Sequence, residues 1–564
     1  MSGATLLALV SFSFCLLANS RRTSVVNTSI GPVRGSILQT YWNRIEYSSF
    51  RGIPYAQPPV RQLRFKPPVP IKPWRKVLNA YQEGNVCPQK EIQTDLLIGD
   101  ENCLFLNVFT PETRFNRRLH LRPVMVWIHG GAYSSGSSNT SLYGPDFFLE
   151  EHLVVVSFNY RLGPLGFLTL KHPDATGNAG LKDQNLVLKW VQTNIAMFGG
   201  DPKQVTIFGE SAGSTAIGFH VLSERSRGLF LRSISMSGSP LCPWAYHTPE
   251  NIIANAYHIA ASLNYVPKSK DDLLNFLQRA PAMDLARVGS TIGLDFLPFR
   301  PTIEDPRIDP TNSSFLTECP ITRYSNGDFY RHTMMMGYTR DEVILFLGPP
   351  IGIANIIDWA KRYINQMTER RGHMNAEPMD EIALLVQRTY NATYEETMKI
   401  ATDVFFSGPI DLTQRLLAKH NAQYPIYYYR LSYETEYSMH KLYENPLNGT
   451  SHFDDIGYIF YVHNLKAPSD RRHPLNRFRK KMVNMWANFA KYGDPTPKHL
   501  MNSNYNVTWK SSGQTGMQIE LNENEVMHNR TVDDGTETYM KSLDAALPVI
   551  SSCVKIPTIH TDIF

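Results

Sequence analysis

The chain is 564 residues long, 42% hydrophobic and 11% aromatic but only 19% charged, a composition that builds a thick packed core and excludes a disordered chain or a coiled coil. Its 56 basic and 51 acidic residues leave a net charge of +5, too mild over this length for a nucleic-acid binder. No repeat and no low-complexity tract breaks it up.

Residues 1–20 carry no charged side chain and hold an apolar run from Leu6 to Ala18, with Ala18 and Ser20 as small residues before a cut. That pattern predicts a secretory leader and a secreted protein whose residues 21–564 form one domain. No later run approaches the eighteen or so uninterrupted apolar residues of a membrane span. Sequons begin at Asn27, Asn139, Asn312, Asn391, Asn506 and Asn529, which are the glycosylation candidates. A seventh, at Asn448, is expected to be the least occupied, because its loop is expected to be partly buried. Once Cys15 leaves with the leader, five cysteines remain, an odd count that leaves at least one thiol unpaired within the chain. Cys87 and Cys103 close a short loop and are the expected disulfide.

From residue 123 onward strands and helices alternate. Pro123–Ile128 and Leu153–Phe158 are short apolar runs of the length and bounds of buried strands. Residues Asp183–Ala196 place Leu186, Val187, Trp190, Val191 and Ile195 at helical spacing. Val205–Phe208 reads as a third strand, and Thr333–Met336 and Pro425–Leu431 as later ones. This order predicts an α/β fold, a large, mostly parallel sheet with helices on both faces.

Two loops carry chemistry. Gly209–Gly213 matches G-x-S-x-G directly after a strand and before a helix, a turn that exposes a serine, here Ser211, above the sheet at a helix N-terminus. Roughly eighty residues upstream, Trp127–Tyr133 is a glycine-rich loop after another strand, a source of N–H donors for an oxyanion.

With these motifs the chain resembles the type-B carboxylesterases of the α/β-hydrolase fold, the group that includes the cholinesterases. The resemblance runs from Gly31–Gly35 and Phe50–Pro59 through Glu101–Asn107, Asn159–Gly163 and Gly177–Gln184 to Trp486–Ala490. It implies oxyanion donors at the N–H groups of Gly131, Ala132 and Ala212. Ala132 stands where the family more often has glycine, and its methyl narrows the pocket without removing the backbone donor. A serine nucleophile needs an imidazole base and a carboxylate to orient it. The resemblance points to His452, in Gly449–Asp455, as the base, with His440 as the local alternative. Glu342 is the implied acid, with Asp341 as its neighbouring competitor. Val343 replaces a common glycine and is expected to crowd the pocket.

These residues imply serine carboxylic-ester hydrolysis through an acyl-enzyme on Ser211, with no cofactor and no metal, on a small-molecule ester. Against the cholinesterases, the loop between Cys87 and Cys103 has fifteen interior residues and lacks their cation-binding tryptophan. Trp244, Leu297, Leu345 and Phe346 are the implied pocket residues, less aromatic than a cholinesterase's and suited to neutral apolar esters. Juvenile hormone esterases, the alternative, typically carry glutamine where this chain has Glu210. A second alternative is a non-catalytic binding or adhesion protein, as some members of the family are, although here all three triad positions are filled. Further implied features are a free thiol at Cys242, buried pairs Arg64–Glu101 and Arg161–Asp183, and a monomer or homodimer. The basic run Arg471–Lys481 is expected to be the solvated face of a helix.

Overall fold

A computed structural model describes residues 21–529, except 92–93, 116–118, 291, 293–296, 348–392 and 501–506. The expected leader, Cys553 and the sequons at Asn391 and Asn506 lie outside the described residues. The sheet has eleven strands: β1 (Ser36–Gln39), β2 (Glu46–Pro54), β3 (Phe105–Thr110), β4 (Arg122–Ile128), β5 (Val154–Phe158), β6 (Gly200–Glu210), β7 (Arg232–Met236), β8 (Thr333–Thr339), β9 (Ile426–Leu431), β10 (Gln518–Leu521) and β11 (Val526–His528). They lie in the order β11-β10-β9-β8-β7-β6-β4-β5-β3-β2-β1. From β10 through β5 every neighbour is parallel, and both flanks are antiparallel.

The central apolar runs are continuous because both sheet faces are covered. In β4, Val124, Val126 and Ile128 join one core while Met125 and Trp127 join the other. Helices α1 (Ala179–Asn194) and α2 (Ala212–Leu222) fill the first face, and α3 (Pro474–Tyr492) fills the second with Phe478, Met482, Trp486 and Phe489.

Differences from the sequence reading have local causes. Helix α1 starts at Ala179, four residues before the expected Asp183, because its first turns are buried among polar partners rather than along an apolar stripe. Asn178, just before it, donates to the Thr302 carbonyl at 2.6 Å and to Glu304 at 2.9 Å. Strand β7 escaped notice because its serines are not exposed alternates; Ser233 is buried and its Oγ lies 2.8 Å from His332 Nε2.

Both expected arginine pairs form. Arg64 meets Glu101 at 2.7 and 2.6 Å and also donates to the Leu277 and Ala280 carbonyls. Arg161 meets Asp183 at 2.8 and 2.7 Å. A guanidinium in a dry interior is tolerated only with such matched acceptors. Cys87 and Cys103 are bonded, as expected. Cys242 is a buried free thiol, and Cys319 is disulfide-bonded. Along α3, Arg477 and Lys480 are exposed as a solvated face requires, but Arg479 of the same run is buried and donates to the Gly457 carbonyl at 2.8 Å, which corrects the expectation there.

The sequons at Asn27, Asn139, Asn312 and Asn529 are all exposed. So is Asn448, which corrects the expectation that its loop is buried there: the chain turns outward at Pro446 and Asn448, and only Gly449–His452 dive inward. Among the described residues no helix is long and apolar enough to cross a membrane.

Candidate active site

Ser211 stands alone between the end of β6 and the start of α2, with φ 57° and ψ −124°. An L-residue holds such a backbone only when its surroundings dictate it. Here its N–H donates to the Met236 carbonyl of β7 at 2.9 Å, and its own carbonyl accepts from Thr215 at 3.0 Å. The two flanking glycines are required by contact: a Cβ at Gly213 would lie 2.0 Å, and one at Gly209 2.6 Å, from the Ile128 carbonyl oxygen at the end of β4. Ser211 lines the main cavity, and its Oγ makes no hydrogen bond among the described residues.

The glycine-rich loop after β4 folds beside this turn. Gly131 has φ 102°, and a Cβ there would strike the Ser135 carbonyl at 2.2 Å. Its own carbonyl accepts from the N–H groups of Ser134 and Ser135. Ala132, at φ 57°, also lies in the left-handed region. Among the described residues no backbone carbonyl takes the N–H groups of Gly131, Ala132 or Ala212. Gly131 and Ala132 line the cavity, and Ala212 is the first residue of α2, where helix dipole and free N–H groups favour negative charge. From the disulfide-closed loop, Gln89 grips the far end of this segment, accepting from Gly136 N–H at 2.7 Å and donating to the Gly136 carbonyl at 2.9 Å. Buried His129 stacks on Tyr160, and burial pushes its imidazole down to about 4, so it is neutral at pH 7.

Glu342 follows the end of β8 and is fully buried. One carboxylate oxygen accepts from Thr339 N–H at 2.8 Å; the other accepts from His452 Nδ1–H at 2.5 Å. That bond places a proton on Nδ1, so in the neutral ring Nε2 is the nitrogen able to accept. Nε2 points toward the Ser211 turn, 3.0 Å from Glu210 Oε1 without forming a hydrogen bond to it. The loops carrying Glu342 and His452 are zipped together: Asp341 N–H donates to the Thr450 carbonyl, Thr450 N–H to the Asp341 carboxylate, and His452 N–H to the Glu342 carbonyl. Asp341 is thus committed to Thr450 and Arg340 rather than to the imidazole. His440 pairs with Asp454 instead of lining the cavity.

Two buried carboxyls lie near the imidazole; the sequence pointed to Glu210 only as a departure from the juvenile hormone esterases, and Asp455 not at all. Burial, and then the Glu342 charge, pushes Glu210 well above the ordinary carboxyl range. Burial, then Glu210 and Glu342, does the same to Asp455. Their positions beside Ser211 and three residues after His452 were the available signal. Among the described residues no cluster of His, Cys, Asp and Glu is arranged to hold a metal ion.

The cavity holds about 720 Å³ and is bordered by Ser211, His452, Gly131 and Ala132. Trp244, Leu297, Leu345 and Phe346 all line it, and so do Phe405 and Phe406, which the sequence reading did not single out. Those two phenylalanines sit on a π-turn, Asp403–Ser407, whose extra residue per turn brings neighbours to the same wall. The Phe406 ring lies 4.9 Å from that of His452, and Trp244 Nε1–H donates to the Phe405 carbonyl at 2.8 Å. Val343 does not crowd the cavity: it points into the core, 1% exposed, because the turn after Glu342 sends Leu345 and Phe346 to the opening instead.

Comparison with known proteins agrees with this arrangement. The model of the carboxylesterase family matches residues 22–537. Juvenile hormone esterase of Tribolium castaneum is 32% identical over 534 residues, 88% of each chain. Esterase E4 of Myzus persicae is 34% identical over 87% of this chain and 90% of its own. The solved structure of juvenile hormone esterase from Manduca sexta, with OTFP covalently attached, superposes with a TM-score of 0.81 at 27% identity, covering 94% of this chain and 99% of that one. The chain therefore belongs to the carboxylesterase family, folds as an α/β-hydrolase and is a carboxylic-ester hydrolase.

Proposed function

We propose that the chain hydrolyses neutral, apolar esters in two acyl transfers on Ser211. His452 Nε2 takes the Ser211 proton as Oγ attacks the ester carbonyl, and the N–H groups of Gly131, Ala132 and Ala212 receive the oxyanion. His452 then protonates the departing alcohol. Water repeats the sequence on the acyl-enzyme, and the carboxylate of Glu342 offsets the imidazolium each time. The chain supplies every group these steps require, so the reaction needs no cofactor.

The observation that carries this reading is the His452 Nδ1–H bond to buried Glu342, in a ring that lines the same cavity as the strained Ser211. The apolar wall of Trp244, Leu297, Leu345 and Phe346 supports a neutral substrate. The uncharged leader and the exposed sequons support secretion as a glycoprotein.

A serine-directed organophosphate followed by peptide mapping tests the nucleophile, and label on Ser211 is expected. A panel of uncharged esters graded in acyl and alcohol size, with a choline ester and a juvenile hormone ester beside them, tests the substrate class. Folded protein that neither labels nor turns over any ester would overturn the reading in favour of a binding protein.

A further inference from the structure

His440 belongs to a short helix, Met439–Leu442, and is 1% exposed. Its Nδ1 lies 2.9 and 2.7 Å from the two oxygens of Asp454, and its Nε2 lies 3.0 Å from the Leu447 carbonyl. Both neighbours accept only. The Asp454 carboxylate already takes the N–H groups of His440 at 3.0 Å and Ser451 at 2.7 Å, the pattern of an anion. A neutral imidazole has one N–H and would leave one of these contacts as two facing lone pairs. Satisfying both requires protons on both ring nitrogens.

The two contacts bracket the loop that carries His452. Leu447 lies five residues before it and Asp454 two residues after it. Lys441, next to His440, adds bonds from its Nζ to the Pro446 and Leu447 carbonyls. Opposite, the loop is held to the Glu342 turn by the Asp341–Thr450 and His452–Glu342 backbone bonds and by Asn445 Nδ2 on the Ile344 carbonyl.

We propose that His440 is a positioning residue: an imidazolium that pins both ends of the 447–454 loop and so holds His452 between Glu342 and Ser211. This rests on the reading of His452 as the base. Sub-ångström control of that ring is where a remote change reaches the chemistry, at a cost of about 10- to 100-fold for a displacement near 1 Å.

The experiment uses the full secreted chain with 15N-labelled histidine, together with His440→Ala, His440→Asn, His440→Gln and His452→Ala. At pH 7 both His440 nitrogens should show the shifts of protonated nitrogens; a neutral ring overturns the proposal. His440→Ala should lower kcat per folded molecule about 10- to 100-fold, with KM little changed because His440 does not line the cavity. Asn, which keeps a donor toward Asp454, and Gln, which keeps one toward Leu447, should each recover part of that loss. If the alanine variant does not fold, the Asn and Gln variants decide, and wild-type kcat in both overturns the proposal. An inactive His452→Ala beside a His440→Ala that loses only thermal stability overturns this proposal alone. Full turnover by His452→Ala overturns the reading of His452 and this inference with it.

Discussion

The turn around Ser211 and the loop around His452 meet at one cavity but are built by opposite means. The turn is a backbone object: two glycines against the Ile128 carbonyl, a positive φ at Ser211 and a bond to Met236 place it within five consecutive residues. The loop has no such local necessity. It is held by contacts from residues far along the chain, Asp341, Glu342 and Ile344, and from His440 beside it. A site of this kind is thus half backbone strain and half side-chain stitching, and the two halves should fail differently.

The largest effects remove the chemistry and leave the framework alone. Ser211→Ala is expected to lower kcat at least about 10³-fold with an unchanged circular dichroism spectrum, and His452→Ala should match it. Substantial turnover in either purified variant would break the comparison at its root. Glu342→Gln should fall only somewhat short of these. A glutamine offers one acceptor where Thr339 N–H and His452 Nδ1–H now use two, so one donor must face an NH₂ group. A pH–rate profile alongside kcat separates a turned imidazole from a lost fold.

Gly213→Ala attacks the backbone half. Its new Cβ would lie 2.0 Å from a carbonyl oxygen that cannot yield without moving β4, and about 1–3 kcal/mol of stability should be lost in urea melts. Activity should fall with it, because α2 carries Ser211 along. No single alanine in the stitched loop should couple stability and activity so tightly.

Acid should find the same half first. His220 of α2 is buried between Ser226 and Gln184, and burial pushes its pKa down to about 3. His129 is held down to about 4 by the same cause. The unfolded chain binds these protons below about pH 6.5 and the folded chain does not, so stability is complete above that pH and falls as the pH drops toward 4. Between pH 7 and 5 the His220 contribution is about 2 kcal/mol. A His220→Gln variant whose urea midpoint keeps the wild-type pH slope would contradict this.

Ala132→Gly should have the smallest effect. Relief of a left-handed alanine is worth about 1 kcal/mol and is offset by the added freedom of glycine. Stability should barely change, while kcat/KM for bulkier esters rises as the methyl leaves the cavity wall.

The same division explains what could be read without coordinates. Strands β4, β5 and β6 announce themselves as apolar runs because both faces are buried, and Gly209–Gly213 announces itself because its constraint is local. Glu342 and His452 stand in polar loops with no periodicity, and only the resemblance to a family singles them out. Phe405 and Phe406 were invisible because a π-turn breaks the 3.6-residue rhythm by which a helix face is recognised. The raised carboxyls of Glu210 and Asp455 depend on distances across the fold, which no spacing in the chain encodes.

The loop closed by Cys87 and Cys103 has a consequence for how such an enzyme diversifies. It is tied at its ends by the disulfide and in between by Gln89 on Gly136, so its link to the Gly131–Gly136 segment uses one buried side chain and backbone atoms. Lys90, Glu91 and Asp95 stand beyond that tie and line the cavity. Mutation there can rewrite the charge and bulk of one part of the cavity wall while the Gln89–Gly136 tie keeps its place.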